Sequence, residues 1–132
     1  MTAEELVREA WRRWNAGERE PDPDLFAEDI EVHSVLTQSV FVGYNGIRAW
    51  TAEIDDQFER WELEIDGFEA IGTDLVAARG RIKLKGRESG LTMDQPASWL
   101  LAVDDGKIAR IHNYIGHDAA LEAAAQVEED RS

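Results

Sequence analysis

The chain of 132 residues carries 28 acidic and 14 basic side chains, which gives a formal charge of -14 at pH 7. This length suits one domain with its own buried core, and we expect residues 1–132 to form it. The charge argues against nucleic acid and membranes as partners, because both bind proteins through Lys and Arg. The absence of cysteine excludes disulfides, thiolate metal sites and a cysteine nucleophile.

The N-terminal stretch MTAEELVREAWRRWNAG is charged from residue 4 and lacks the apolar core of a signal peptide. No apolar run approaches the ~20 residues that a membrane-spanning helix needs. We therefore expect a cytoplasmic protein.

The first predicted element is a helix that Thr2 and Glu5 open as a capping box and Gly17 ends. Its buried stripe has helical spacing and consists of Leu6, Val7, Ala10, Trp11 and Trp14. A short second helix is predicted next, with Asp22 as N-cap and Pro23 at its first position, directing Leu25 and Phe26 inward.

The alternation in IEVHSV at 30–35 predicts a strand, and a loop containing Gly43 follows. The stretch NGIRAWTAEIDDQFERW at 45–61 predicts a third helix with Asn45 as its cap. Its apolar stripe consists of Ile47, Trp50, Ile54, Phe58 and Trp61.

From Trp61 the hydrophobic period changes to two, and Asp66-Gly67 predicts a bulge or bend in a curved strand. Residues 73–90 predict a second strand with two different faces. Its apolar face holds Val76, Ala78, Gly80, Ile82 and Leu84, and its basic face holds Arg79, Arg81, Lys83 and Lys85.

Two further strands, at 91–103 and 107–115, are joined by Asp104, Asp105 and Gly106, a strong hairpin signal. The Ala-rich stretch 117–129 predicts a helix, and residues from about 120 to 132 form a flexible or helical acidic tail. Helices, one strand, a run of antiparallel strands and a last helix are typical of an α+β domain.

Several motifs resemble one known group: WRRWNAG before an acidic segment, GYNGIRAW, ASWLLAVDDGKIARIHNY and the closing ALEAAA. In this order they resemble the SnoaL-like, polyketide cyclase-like domains of the nuclear transport factor 2-like superfamily. The resemblance implies a cone-shaped barrel of a strongly bent, mostly antiparallel sheet. It also implies three N-terminal helices on the concave face, a short C-terminal helix and a homodimer formed through the sheet.

Members of that superfamily include ketosteroid isomerase, scytalone dehydratase, limonene epoxide hydrolase and aldol cyclases. The isomerase uses an Asp base with a Tyr and a protonated Asp as oxyanion hole. Here the base position falls at Ser34, the Tyr position near Ala10, and the second Asp position near Ser98 or Trp99. The steroid-isomerase groups are therefore missing from this sequence.

Three residues are the candidates for catalysis. His33 carries an imidazole, the side chain suited to acid/base work near neutral pH, and lies beside the base position, although strict alternation directs it outward. Asp94 precedes Pro96, and a bulge there would turn its carboxylate inward; the alternative is a solvated acid. The alternation along the last strand places Asn113 toward the cavity and His112 on the opposite face. The Asn113 side chain either hydrogen-bonds a substrate oxygen or is satisfied by backbone or water.

Six residues are the candidates for substrate contacts. Trp14, Trp50 and Trp99 lie on elements that converge on the cavity in this fold, and Ile111 faces it from the last strand. Ser34 and Tyr44 are polar candidates for orienting the substrate, Tyr44 at the pocket rim. For the tryptophans the alternative is plain core packing.

We expect no cofactor and no metal, because the histidines lack a ligand spacing and no phosphate-binding loop is present. The sequence predicts a cofactor-independent enzyme of the isomerase, cyclase, dehydratase or epoxide hydrolase type. Its substrate would be a small hydrophobic molecule with a carbonyl or hydroxyl group. The alternative is a non-catalytic dimeric ligand-binding module of the same fold.

Overall fold

The computed structural model describes residues 1–35 and 38–131. The helices are α1 (Ala3–Asn15), α2 (Gly43–Gln57) and α3 (Ala119–Arg131); the strands are β1 (Phe26–Ser34), β2 (Ser39–Val42), β3 (Phe58–Ile71), β4 (Leu75–Gly86), β5 (Thr92–Asp104) and β6 (Lys107–Ile115). Within the described residues the strands form one six-stranded sheet in the order β2-β1-β6-β5-β4-β3. Neighbouring strands are antiparallel except for the parallel pair β1 and β6. No helix in the described part of the chain has the length and apolarity to cross a membrane.

The sheet is strongly curved. Val32 of β1 and Leu63 of β3 line the same cavity, although three strands separate them in the sheet. In a flat sheet these two strands would lie about 19 Å apart, four times the usual strand spacing. The concave face therefore encloses the main hydrophobic core, against which α1 and α2 pack.

The bend in β3 depends on a glycine of the neighbouring strand. Pairing between β3 and β4 shifts between Ile65 and Gly67, so the predicted bulge at Asp66-Gly67 is confirmed. A Cβ atom on Gly80 would lie 1.6 Å from the carbonyl oxygen of Glu64. Only a residue without a side chain lets the two backbones approach this closely.

The two faces of β4 differ as the alternation predicts. Val76, Ala78 and Ile82 are buried in the concave core. The basic side chains on the convex face form ion pairs: Arg79 with Asp118, Arg81 with Asp94, Lys83 with Glu64 and Lys85 with Glu59. The convex face therefore balances its own charge over much of β3, β4 and β5.

Helix α3 packs on the convex face over a smaller core. Ala120 and Ala124 are buried there with Leu75, Ala77 and Leu100. The hydroxyl of the fully buried Ser98 accepts a hydrogen bond from the backbone N–H of Ala120 at 3.0 Å. The sheet thus satisfies one of the free N–H groups at the start of α3.

The hairpin between β5 and β6 is confirmed. Asp104 pairs with Lys107, and both loop residues, Asp105 and Gly106, have positive φ. Positive φ at both positions is the requirement of the type I′ turn that suits a two-residue hairpin. The capping box at Thr2 and Glu5 is confirmed as well, with both of its hydrogen bonds formed.

The short helix predicted from Asp22 is wrong. The backbone N–H groups of Leu25 and Phe26 both donate to the Asp22 carbonyl, which makes one turn. The carbonyl of Leu25 then accepts from Ile108, and Phe26 enters β1. Because the backbone at Leu25 and Phe26 pairs in the sheet, the turn does not continue as a helix.

The predicted third helix differs from the observed α2 at both ends. It begins at Gly43 with Val42 as an N-cap without a side-chain hydrogen bond, so Asn45 is not the cap. It ends at Gln57, because Phe58 and Trp61 pair with β4 as part of β3. Their spacing of three fits a helical stripe, and long-range pairing overrides it.

Two further expectations about architecture need correction. The sheet is open, with β2 and β3 at its edges, and is not a closed barrel. Among the described residues two helices, not three, precede the long antiparallel strands, and the predicted loop before α2 contains β2. Leu36 and Thr37 of that predicted loop lie outside the described residues.

Candidate functional site

A cavity of about 230 Å³ lies between the concave face, α1 and α2. Its apolar lining comes from both helices and from five strands; it includes Val7, Ala10, Trp11, Trp14, Ile47, Trp50, Val32, Leu63, Ile65, Phe68, Ala78, Trp99, Leu101, Ile108 and Ile111. A volume of this size, lined by aromatic and aliphatic groups, suits a small hydrophobic molecule.

Three tryptophans form a cluster at the cavity. Trp14 stacks with Trp50 at a centroid distance of 5.7 Å, and Trp61 meets both edge-on at 5.5 and 6.1 Å. The indole N–H of Trp61 donates to Asp55 at 2.7 Å. The buried Nε1 atom of Trp50 has no hydrogen-bond partner among the described residues.

An unpartnered buried donor is costly. Leaving such a group without an acceptor costs about 1–3 kcal/mol. Within the described residues, two buried side-chain atoms lack a partner, Trp50 Nε1 and Arg19 Nε, and both residues line this cavity. Both atoms are donors, and neither is accessible to solvent in this structure.

The polar groups of the lining cluster on the segment after α1. Arg13 of α1 donates to Glu9 and to Asp22. The backbone N–H of Asp24, followed by Arg13, lowers the pKa of the Asp22 carboxyl below its usual value. Glu20 accepts from Arg48, which lowers its pKa in the same way. Both carboxylates are therefore ionised at neutral pH and are poor proton acceptors.

Arg19 stands apart from this rim network. Its guanidinium carbon lies 4.1 Å from the ring centroid of Trp14 and 5.0 Å from that of Trp61. Both distances are within the range of a cation–π contact. The side chain is half-buried and forms no ion pair with any described residue.

Four of the residues predicted to contact substrate lie in the cavity lining. They are Trp14, Trp50, Trp99 and Ile111. Trp99 pairs across the sheet with Ala78 on one side and Asn113 on the other, so these side chains share the concave face. Their contact with a substrate stays a prediction.

His33 lies outside this cavity. It pairs with His112 in the register of β1 and β6, and the two imidazoles stack at 4.7 Å on the convex face. Tyr114 extends the stack at 4.5 Å from His112, and His33 lies 3.3 Å from a carboxylate oxygen of Glu31. Because side chains alternate between the two faces of β1, the imidazole points away from the cavity. His33 does not belong to the cavity lining.

The convex position of His112 has an electrostatic consequence. Burial, followed by the charges of His33 and Arg110, lowers the pKa of His112 below its usual value. Burial raises the pKa of the neighbouring Tyr114 phenol. Both shifts favour the uncharged forms of His112 and Tyr114. The homodimer expected through this face stays a prediction.

Asp94 also lies outside the cavity. It pairs with Lys83 in the sheet register and accepts a hydrogen bond from Arg81 at 2.6 Å on the convex face. Its side chain is 54% exposed. The carboxylate is a solvated ion-pair partner, with Pro96 forming no bulge in the pairing of β4 and β5.

The remaining polar candidates have backbone partners or lie elsewhere. The amide of Asn113 donates to the Ser98 carbonyl at 3.3 Å, and the hydroxyl of Tyr44 donates to the Phe26 carbonyl at 2.9 Å. Ser34 is buried at the end of β1 beside a second, open pocket that Asn113 also borders. None of these three belongs to the lining of the main cavity.

Arg19 and Asp22 are the polar residues that sequence reasoning missed. Both lie in the stretch GEREPDPD, whose acids indicate a solvated surface. The available signal was Arg19 itself, a basic residue among acids just beyond a helix rich in tryptophan. Among the described residues no group of three or more His, Asp or Glu side chains is placed to hold a metal ion.

Solved structures share this fold at low sequence identity. A candidate polyketide cyclase from Xanthomonas campestris pv. campestris is 22% identical, with a TM-score of 0.73 over 95% of this chain and 96% of that one. A protein with a ketosteroid isomerase-like fold from Catenulispora acidiphila, in complex with trimethylamine, is 20% identical, with a TM-score of 0.69 and coverage of 94% and 95%. TerC, co-crystallised with polyporic acid, is 17% identical, with a TM-score of 0.71 and coverage of 92% and 96%.

The sequence itself carries a family signature. No curated protein matches the chain. The family model of the SnoaL-like domain, in contrast, matches residues 7–111, from within α1 to the middle of β6. The chain belongs to the SnoaL-like domain family.

Proposed function

We propose that this protein binds a flat, hydrophobic small molecule bearing a carbonyl or hydroxyl oxygen in the cavity between α1, α2 and the sheet. The observation that carries the proposal is the buried N–H of Trp50, which lines an apolar cavity without an acceptor. A water molecule cannot reach this atom in the structure, so a ligand oxygen pairs with it, and removes the cost of leaving it unpaired, when the neighbouring side chains shift. TerC, a protein of the same fold, was co-crystallised with polyporic acid.

Two matched probes test this proposal. We expect 2-acetylnaphthalene to bind more tightly than 2-ethylnaphthalene, up to about tenfold, because a net hydrogen bond contributes about 0.5–1.5 kcal/mol. Titration followed by tryptophan fluorescence measures both affinities. Trp50→Phe keeps an aromatic ring and removes the donor, so it should abolish the preference.

Trp11→Phe is the control, because Trp11 lines the same cavity and its indole N–H is not one of the buried donors without a partner. This variant should retain the preference for the ketone. Equal affinity of the unmodified protein for the two probes would contradict a role for the Trp50 N–H. Failure of both probes to bind would contradict ligand binding in the cavity.

The second candidate function is a cofactor-independent enzyme that moves a proton next to a carbonyl, of the isomerase or cyclase type. The observation that favours it is the presence of a carboxylate, Asp22, and an unpaired donor, Trp50, in one lining. A base and a donor to the developing oxyanion are the two parts of such chemistry. The lowered pKa of Asp22 makes it a weak base, which is why binding is the first proposal.

Proton transfer can be measured without knowing the substrate. In D₂O the methyl protons of 2-acetylnaphthalene exchange through an enolate, and NMR follows their loss. An enzyme of this type should accelerate the exchange, and Asp22→Asn should remove the acceleration. Glu20→Gln is the control, since Glu20 lines the cavity as an ion-pair partner of Arg48. Exchange at the buffer rate would exclude this function for Asp22.

A further inference from the structure

We infer that Arg19 is the recognition site for a carboxylate on the bound molecule, so that the preferred ligand is a flat hydrophobic acid. This inference rests on the proposed function, ligand binding in the cavity, and specifies the chemical class of the ligand. Its basis is the position, the unused donors and the surroundings of one arginine.

The first step is that Arg19 has no acidic partner among the described residues, in a chain where acidic side chains outnumber basic ones. The protein has twice as many acidic as basic residues, 28 against 14. Other half-buried cations of the described residues have partners: Arg13 with Asp22, Arg81 with Asp94, Lys83 with Glu64 and Lys107 with the Pro23 carbonyl. Arg19 is half-buried and has none.

The second step is what holds the side chain in place. The guanidinium lies over the face of Trp14 and near Trp61, at 4.1 and 5.0 Å from their centroids. Stacking occupies the faces of a guanidinium and leaves its N–H edge free to form hydrogen bonds. The Nε atom is buried out of reach of solvent, whereas the terminal N–H groups are not among the buried atoms and form no hydrogen bond with a described residue. Arg19 is therefore fixed in orientation while its terminal donors stay available.

The third step is the choice between ligand charges. Three tryptophans close to one another would also suit a cationic ligand, but the guanidinium already lies over two of them and would repel a second cation. Two other cations lie in or next to the cavity lining. Arg13 is neutralised by Asp22, and Arg48 is neutralised by Glu20. A carboxylate fits the remaining charge and matches the planar fork of an arginine.

The overall negative charge of the protein does not oppose this choice strongly. At physiological ionic strength, charges more than about 8 Å apart are largely screened. The strength of a hydrogen bond between Arg19 and a ligand therefore depends mainly on the charged groups next to Arg19. Two of the three acids in the lining, Glu20 and Asp22, are already paired, and Glu18 is exposed.

The test compares 2-naphthoate with 2-naphthamide, which share the ring and the carbonyl and differ in charge. We expect the protein to bind 2-naphthoate at least about tenfold more tightly, the scale of a hydrogen bond between charged groups. Arg19→Gln should remove that preference and leave the affinity for 2-naphthamide within about twofold. Arg19→Lys, which keeps the charge without the planar fork, should retain part of it.

Arg60→Gln is the matched control, because it removes the same charge from an exposed arginine of β3 that does not line the cavity. It should leave the preference intact. Since the comparison of two ligands on the unmodified protein needs no variant, a folding defect of Arg19→Gln does not decide the result. If 2-naphthamide binds and 2-naphthoate binds no better, the carboxylate inference alone fails. If neither binds, the proposed function fails with it.

Discussion

Trp14 of α1 and Trp50 of α2 stack with their ring centroids 5.7 Å apart and their planes inclined by 28°. This contact joins the two helices at the cavity, and Trp61 of β3 packs edge-on against both rings. The same side chains therefore stabilise the fold and form the surface that a ligand would meet.

Removing the central ring of this cluster should destabilise the protein. We expect Trp14→Ala to lower the free energy of unfolding by about 3 kcal/mol, because it removes two aromatic contacts and leaves a cavity. Urea denaturation followed by circular dichroism measures the change. Trp14→Phe keeps one ring and should cost about 1 kcal/mol; equal costs for the two variants would mean that stacking contributes little.

The bend of β3 gives a second prediction. Gly80→Ala places a methyl group 1.6 Å from the Glu64 carbonyl oxygen, so the paired backbones have to separate. We expect a loss of about 3 kcal/mol, at the upper end of overpacking effects, visible as a lower melting temperature. At Gly67, on the opposite side of the bulge, an added Cβ meets nothing within 4 Å, so Gly67→Ala should change stability little.

The histidine stack makes stability depend on pH. His112 has a folded-state pKa below its ordinary value of 6.5, so the unfolded chain binds a proton more readily. Its contribution to stability is therefore complete above pH 6.5 and is lost as the pH falls from there through the folded-state pKa.

Denaturation at pH 7 and pH 5 measures this effect. His112→Phe should show a smaller loss of stability between the two pH values than the unmodified protein. His117→Asn, which alters an exposed histidine near α3, should show the original loss. An identical pH dependence in His112→Phe and the unmodified protein would assign the effect to other groups.

The link between the sheet and α3 is a fourth test. Ser98→Ala leaves the backbone N–H of Ala120 without its buried acceptor and should cost about 1–2 kcal/mol. Hydrogen exchange by NMR should show faster exchange at Ala120, while amides in the pair β3 and β4 keep their protection. Uniform loss of protection would indicate that α3 does not open separately.

Sequence reasoning identified those features of the fold that depend on neighbouring residues. The alternation on either side of Gly80, the bulge at Gly67 and the turn at Asp105 each have a local signal, and each is confirmed. The missed features depend on distant partners. Leu25 shows this well: its segment has a proper helix start, yet its carbonyl bonds to Ile108, more than 80 residues away.

The candidate site divides in the same way. Tryptophans on periodic elements are directed toward the cavity by the period itself, and Trp14, Trp50 and Trp99 line it. Polar groups follow no such rule. Arg19 lies in a segment without regular structure, where no periodicity indicates direction, so only the folded chain brings it onto Trp14.

The position of β1 between β2 and β6 has a consequence for synthesis of the chain. The strand that contributes Val32 to the cavity is synthesised more than 70 residues before its parallel partner, which contributes Ile108 and Ile111. Until residue 115 has emerged, the wall between β1 and β5 is missing. The cavity is therefore complete only after β6 has been synthesised, and loss of β6 removes one wall of the cavity together with the join between the two halves of the sheet.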